Sequence, residues 1–139
     1  MRFIHDTLPQ RVSFGSGEAA AHLEREVAAL GASRVMVIAA KEESNIADAI
    51  TGKLRVVLRH DDVVMHFPVE VAARGREAAA RHNVDALVSV GGSTTGLAKA
   101  IALTTGLPIV AVPTTYAGSE ATTVWGLTDC RGWLRILSI

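Results

Sequence analysis

Leu87-Val88-Ser89-Val90-Gly91-Gly92-Ser93-Thr94-Thr95-Gly96-Leu97-Ala98-Lys99-Ala100-Ile101-Ala102 passes from an apolar run, through a Gly/Ser/Thr turn, into apolar residues at helical spacing. Leu97, Ile101 and the alanines between them share one helix face, so the stretch reads as strand, tight loop, helix. Such a loop places unpaired backbone N–H groups at a helix N-terminus, where the helix dipole favours an anion. At Gly91 and Gly92 no Cβ obstructs a phosphate, and a branched side chain at either would block its approach. The hydroxyls of Ser93, Thr94 and Thr95 can cap the helix or reach a phosphate oxygen. A plain glycine turn with a threonine N-cap accounts for the same residues equally well. The loop is neither Gly-x-Gly-x-x-Gly nor a Walker loop ending in Gly-Lys-Ser/Thr.

Downstream, Pro108-Ile109-Val110-Ala111-Val112-Pro113 is a second buried strand, followed by the polar Thr114-Thr115-Tyr116-Ala117-Gly118-Ser119-Glu120. Two polar loops then leave the carboxyl ends of neighbouring strands, the place where open α/β sheets bind ligands. Local backbone bonding in a turn is the default use of either threonine alone.

Upstream, Ala20, Leu23, Val27 and Leu30 set a helix from Glu18 to Leu30 with Gly31 as its C-cap, and Arg34–Ala39 is a buried strand. Ala39-Ala40-Lys41-Glu42 follows it. In nucleotide-binding folds this region often reaches the adenosine, but neither Ala39 nor Ala40 offers an acid for a ribose hydroxyl. Lys41 could favour a phosphate, although a lone lysine in a charged loop is usually just solvated. Ser44 or Asn45 caps a helix reaching about Leu54. Val56-Val57-Leu58 and Val63-Val64-Met65 are both strand-like, and either could join the sheet. Pro68 suits the first turn of a helix from Val69 to His82-Asn83. At the N-terminus, Phe3-Ile4-His5 and Arg11-Val12-Ser13-Phe14 read as two short strands, and Gly15-Ser16-Gly17 as a turn into the next helix.

Strands alternate with helices throughout. The fold expected is α/β: a Rossmann-like parallel sheet with helices on both faces. Val35–Ile38, Leu87–Val90 and Ile109–Val112 are continuous apolar runs, so each is expected to be parallel and buried on both faces.

The chain has 139 residues, enough for one domain with a real core; 49% are hydrophobic and 20% charged, which excludes a disordered chain. The formal net charge of zero removes a general electrostatic case for nucleic acid or an anionic membrane. Aromatics at 4% argue against a base-stacking platform. Cys130 is the only cysteine, so no disulfide forms within the chain, and a cytoplasmic setting is expected. Asp6, Pro9, Gln10 and Arg11 interrupt any signal-like start, and no apolar run is long enough to span a bilayer. His5, His22, His60, His66 and His82 take no metal-ligand spacing. Ser119-Glu120 lacks the surroundings of a nucleophile elbow.

Three stretches carry a resemblance. They are Val64-Met65-His66-Phe67-Pro68-Val69-Glu70-Val71-Ala72, the glycine loop and helix Gly91–Ile101, and Pro113–Glu120 continued by Val124-Trp125-Gly126-Leu127-Thr128. Together they resemble the iron-containing alcohol dehydrogenase superfamily, which shares its fold with dehydroquinate synthase and glycerol dehydrogenase, and within it the maleylacetate reductases. The resemblance runs from about Met1 to Thr128 and implies a dinucleotide-binding α/β domain over residues 1–128. It implies NADH- or NADPH-dependent reduction of maleylacetate to 3-oxoadipate in the breakdown of aromatic compounds. Family members are usually dimers. Their C-terminal helical domain supplies catalytic histidines and, in the alcohol dehydrogenase branch, ligands for iron or zinc. Maleylacetate reductases are generally regarded as not needing the metal.

Carried over residue by residue, Gly91, Gly92, Ser93 and Thr94 would line the pyrophosphate. Thr114, Thr115, Tyr116 and Ser119 would lie along the adenosine, ribose and nicotinamide side. No catalytic or metal-binding residue is expected within this chain. Gly96 stands where the metal-dependent branch commonly has an acid, which favours the reductase subgroup. Two glycines precede Ser93 where the family usually has three, and one residue fewer moves backbone donors by up to ~3.5 Å if nothing relaxes. Residues 129–139 no longer resemble the family and read as a divergent tail from a truncation or frameshift. The expected behaviour is cofactor binding without turnover by the chain alone. A glycerol- or alcohol-dehydrogenase-like member and a non-catalytic dinucleotide-binding fragment are the alternatives.

Overall fold

A computed structural model describes residues 10–63 and 69–122 and the strand backbones of 124–128 and 134–138. Four strands form one sheet: β1 (Val35–Ala39), β2 (Val56–His60), β3 (Ala86–Val90) and β4 (Ile109–Val112). Their order is β2-β1-β3-β4, and every pairing is parallel. Helix α1 (Ala19–Ala29) precedes β1, and α2 (Ser44–Thr51), α3 (Val69–Arg81) and α4 (Thr94–Thr105) connect the successive strands. β5 (Val124–Thr128) and β6 (Leu134–Ser138) pair antiparallel as a separate two-stranded sheet.

The expected α/β architecture follows from the period-two alternation of side chains along each strand. On one face Val35, Val37, Ala39, Val88 and Val90 pack against Leu23 and Val27 of α1 and Ala47 of α2. On the other, Met36, Ile38 and Leu87 meet Val71, Ala72 and Ala79 of α3 and Leu97, Ala98 and Ile101 of α4. With both faces covered, β1 and β3 have no polar alternation to show, and every residue of both is buried. β4 departs from expectation. It is parallel, but all four of its residues are only half-buried, because it is the edge of the four-stranded sheet and has a ladder partner on one side alone.

Helices α1 and α3 end at the stops that the sequence places for them. Gly31 adopts φ +68°, its N–H donates to Ala28 O at 2.9 Å, and Ala32 N–H donates to Val27 O at 3.2 Å. Asn83 closes α3 the same way at φ +48°, with Val84 N–H donating to Ala79 O at 3.0 Å. These left-handed caps satisfy carbonyls that the last helical turn leaves open. Gly75, inside α3, serves packing instead: a Cβ there would stand 2.7 Å from Ile101 Cδ1.

Several local expectations are corrected. Residues 11–14 form no strand; Val12 and Phe14 are exposed, and the segment is held by side chains, with Arg11 Nε 3.4 Å from Glu26 and Ser13 Oγ donating to Glu26 at 3.1 Å. Phe3–His5 lies outside the described residues. Ser44 does not cap α2 but is its first residue, entered from a 3₁₀ turn over Lys41–Glu43 with no side-chain cap. That helix ends at Thr51, whose hydroxyl turns back to Ala47 O at 2.6 Å, and not at Leu54. Of the two strand-like runs, Val56–His60 joins the sheet beside β1; Val63 is outside any strand, and Val64 and Met65, like Pro68, lie outside the described residues.

At the amino ends of β1 and β3, the Asp85 carboxylate accepts from Ser33 N–H at 2.8 Å, Ser33 Oγ at 3.2 Å and Arg34 N–H at 2.7 Å. Burial alone would raise the Asp85 pKa; the hydrogen bonds from Ser33 and Arg34 overcome it and hold the group below its ordinary 3.8. A carboxyl depressed on folding stabilises the protein above its unfolded pKa, and that stability is lost as pH falls through the folded value. Asp85→Ala is expected to cost about 1 kcal/mol at pH 7, the net range for hydrogen bonds whose donors water can reach, since Ser33 is exposed and Arg34 half-buried. The difference from wild type should shrink below pH ~4, as read by denaturant melts across pH.

Candidate functional site: the crevice between the β1 and β3 loops

The chain runs from β1 outward to β2 on one side and returns to β3 and β4 on the other. The strand order therefore reverses between β1 and β3, and this switch point lies at the carboxyl edge of the sheet, where open α/β folds bind ligands in a crevice. Three loops border it: the turn Lys41–Glu43 after β1, Gly91–Ser93 after β3, and the segment from Pro113 to Thr122 after β4.

The glycine loop is fixed from below. Gly91 takes φ +110°, which L-side chains rarely adopt, and its N–H donates to Val112 O at 3.0 Å. Thr94 Oγ1 donates to Gly91 O at 3.0 Å, and Ser89 Oγ lies 3.2 Å from Thr95 Oγ1. Thr94 and Thr95 are thus buried, their hydroxyls committed to holding the loop on the strand. Ser93, the N-cap position, is exposed and makes no side-chain cap bond. The first-turn N–H groups of α4, a helix of 12 residues, therefore have no side-chain acceptor at the cap. This fits an anionic group such as a dinucleotide pyrophosphate, with Gly92 and Ser93 offering backbone and hydroxyl on the open side.

The two loops singled out in the sequence do come together. A Cβ on Gly92 would lie 2.3 Å from Thr115 Oγ1 and 3.4 Å from Ala117 Cβ. The absent side chain at Gly92 thus makes room for Thr115 of the same protein as well as for any ligand. A branched residue there would strike Thr115 before it met a cofactor. Thr114 Oγ1 donates to Glu43 Oε1 at 2.7 Å, joining the β4 loop to the β1 loop. Tyr116 is fully exposed, and Ser119 begins a half-buried 3₁₀ turn, Ser119–Ala121.

Two residues here went unremarked in the sequence. Glu43 is one; its contact with Thr114 spans 71 positions, and no local pattern announces it. Lys99 is the other, only 6% exposed, with Nζ donating to Ser119 O and lying 3.4 Å from Thr122 Oγ1. Burial lowers its pKa against the opposing pull of Glu120. Its signal was present: a lysine four positions after Thr95 and between two alanines stands on the buried face of α4. A separate depression of about 320 Å³, lined by Lys41, Glu42, Asp61, Asp62 and Val63, lies at the ends of β1 and β2 and includes no residue of the glycine loop. Among the described residues no cluster of His, Cys, Asp and Glu could hold a metal ion, and no helix is long and apolar enough to cross a membrane.

The contact between Gly92 and Thr115 is testable without any ligand. Gly92→Ala is expected to destabilise the chain, and Thr115→Ala to relieve most of that loss. A double-mutant cycle by chemical denaturation should give a coupling of about 0.5–3 kcal/mol, the range for touching residues. Additive effects would mean that the loops do not meet.

The sequence model for iron-containing alcohol dehydrogenases matches residues 9–136. The chain is 46% identical over 130 residues to a maleylacetate reductase of Burkholderia cepacia, covering 91% of this chain and 37% of that protein. Its fold matches the crystal structure of an iron-containing alcohol dehydrogenase from Corynebacterium glutamicum with a TM-score of 0.94 and 54% identity, over 100% of this chain and 39% of that one. A maleylacetate reductase structure from Agrobacterium tumefaciens matches with a TM-score of 0.90 and 35% identity, over 100% of this chain and 40% of that one. The chain thus spans well under half the length of the relatives it matches. Two-sided burial, the strand order and the paired loops agree with that similarity, and the chain belongs to the iron-containing alcohol dehydrogenase family.

Proposed function

We propose that this chain is the dinucleotide-binding part of a maleylacetate reductase, taking NADH or NADPH at the crevice between the β1 and β3 loops. The observation that carries this reading is the uncapped N-terminus of α4 beside Gly91 and Gly92, at the point where the strand order reverses. Identities of 46% and 42% to maleylacetate reductases of Burkholderia cepacia and a Rhizobium strain support the choice of reaction.

In this reading the backbone of Gly92 and Ser93 and the first turn of α4 take the pyrophosphate. Thr94 contributes its N–H, since its hydroxyl serves Gly91. Thr114, Thr115, Tyr116 and Ser119 border the remainder of the cofactor. Lys99 keeps the Ser119 end of that segment in place from beneath. When bound, a reduced nicotinamide would supply a hydride, with a proton drawn from solvent, to the carbon–carbon double bond of maleylacetate, giving 3-oxoadipate in the breakdown of aromatic compounds. In this reading the chain's own residues bind and orient the cofactor. The partners are a small-molecule substrate and, for the whole protein, a second copy of itself in the cytoplasm.

The 54% identity to the Corynebacterium protein, named for the family at large, favours keeping a second reading: an alcohol dehydrogenase-like member using the same crevice. Fluorescence titration of the chain with NADH is expected to saturate, and the chain alone is expected not to oxidise NADH when maleylacetate is added, because an oriented, water-excluded site is needed for the transfer. Absence of saturable binding by folded chain would contradict the cofactor reading. In the whole protein, NADH oxidation with maleylacetate supports the reductase, whereas alcohol-dependent NAD reduction alone supports the second reading.

A further inference from the structure

We propose that Lys99 is a positioning residue for the cofactor: from the buried face of α4 its ammonium sets the β4 loop against the glycine loop, and dinucleotide affinity depends on its charge. The inference rests on the dinucleotide reading above and names what holds the far wall of that site. α4 buries Leu97, Ala98, Ala100 and Ile101, and Lys99 is buried with them at 6% exposure. A methionine would fill much the same space without desolvating a charge, so the ammonium is kept there at a cost. It meets the far end of the β4 loop, where Nζ donates to Ser119 O and lies 3.4 Å from Thr122 Oγ1. The same carbonyl accepts from Thr122 N–H and Thr122 Oγ1, both at 3.5 Å. Those two bonds are long, which leaves the charged lysine as the strong donor.

The β4 loop is fixed at both ends. At its start Thr114 Oγ1 donates to Glu43 at 2.7 Å. At its end Lys99 holds Ser119, and Gln10 Nε2 donates to Glu120 O at 2.7 Å from outside. Between these points lie the fully exposed Tyr116 and Gly118 at φ +73°. Thr115 stands in this span, 2.3 Å from where a Cβ on Gly92 would be. The clearance between the two loops is therefore smaller than a methyl group and is set by where the span lies. α4 governs both walls: its first turn follows the glycine loop, and Lys99, one turn on from Thr95, anchors the opposite loop. Among the described residues the charged group set against Lys99 is Glu120, on the turn that it holds; from α3, Arg76 reaches the neighbouring Ala100 O at 3.3 Å. Burial lowers the Lys99 pKa from its ordinary 10.5 more than Glu120 raises it. A neutral amine bonds the carbonyl more weakly, so affinity should fall as pH rises through that lowered value.

The test is the NADH dissociation constant of the full chain by fluorescence titration, from pH ~7.5 to ~10, with folding followed by circular dichroism. Lys99→Met is expected to weaken NADH about tenfold at the lower pH, the size of one hydrogen bond to a charged group. The wild-type constant should then rise about threefold or more toward the higher pH, while that of Lys99→Met stays level. Lys53→Met removes the same charge from an exposed lysine paired with Glu24 and should follow wild type throughout. Amide exchange without ligand separates positioning from general stability: Lys99→Met should exchange faster at Gly118–Thr122 and unchanged in β1 and β3. Wild-type affinity in Lys99→Met, an alkaline rise that survives in it, faster exchange throughout the sheet, or an equal effect of Lys53→Met would each overturn the proposal while leaving the dinucleotide reading intact. Folded wild type that binds no NADH would overturn both. Should Lys99→Met not fold, the wild-type profile decides: a constant that rises while the chain stays folded supports the proposal, and a level one overturns it.

Discussion

The parallel pairing of β1 with β3 is the constraint on which the rest of the structure depends. Five residues of each strand stay in register, from Val35 opposite Ala86 to Ala39 opposite Val90. That pairing joins strands separated in sequence by two helices and the edge strand β2. It aligns the carboxyl ends of both strands, so the turn carrying Glu43 and the loop carrying Gly91 emerge side by side. A slip of one residue would turn each side chain to the opposite face and exchange the α1–α2 packing for the α3–α4 packing. Asp85 pins the other end through Ser33 and Arg34, which resists such a slip.

Above this frame the crevice is built from small residues and short polar ones. Gly91 supplies a positive φ, and Gly92 leaves the space that Thr115 enters. Thr94 and Thr95 spend their hydroxyls inward on Gly91 and Ser89, leaving the helix start without a side-chain cap. A capped N-terminus would be more stable by about 1 kcal/mol; an uncapped one keeps its donors for an anion. Lys99 occupies a buried helix face at a cost in desolvation, and its ammonium holds the Ser119 carbonyl. Local stability is thereby traded for a fixed arrangement of loops.

Much of this was legible in the sequence, for physical reasons. Buried parallel strands must be apolar throughout, so Val35–Ile38 and Leu87–Val90 could be read directly. Gly31 marks a helix stop by its conformational freedom, and the glycine loop marks the strand-to-helix turn. What could not be read depended on distant partners. Arg11–Phe14 has a strand-like composition, but its contacts with Glu26 are ionic and polar rather than a ladder. The half-burial of β4 reflects its place at the edge, which no local pattern encodes. The Thr94 hydroxyl turns inward to the Gly91 carbonyl, a contact set by the folded loop. Glu43 was invisible because its role arises only when Thr114, far along the chain, is folded beside it.

The central claim is that the crevice between the β1 and β3 loops is where this chain holds a dinucleotide. Amide hydrogen exchange with and without NADH tests it most directly, because it reports where the ligand sits as well as whether it binds. The account predicts slowed exchange at Gly92–Thr95, in the turn Lys41–Glu43 and at Thr114–Thr115, with the amino ends of the strands around Ser33 and Asp85 unchanged. Slowing confined to other surfaces, or none at saturating NADH, would contradict it.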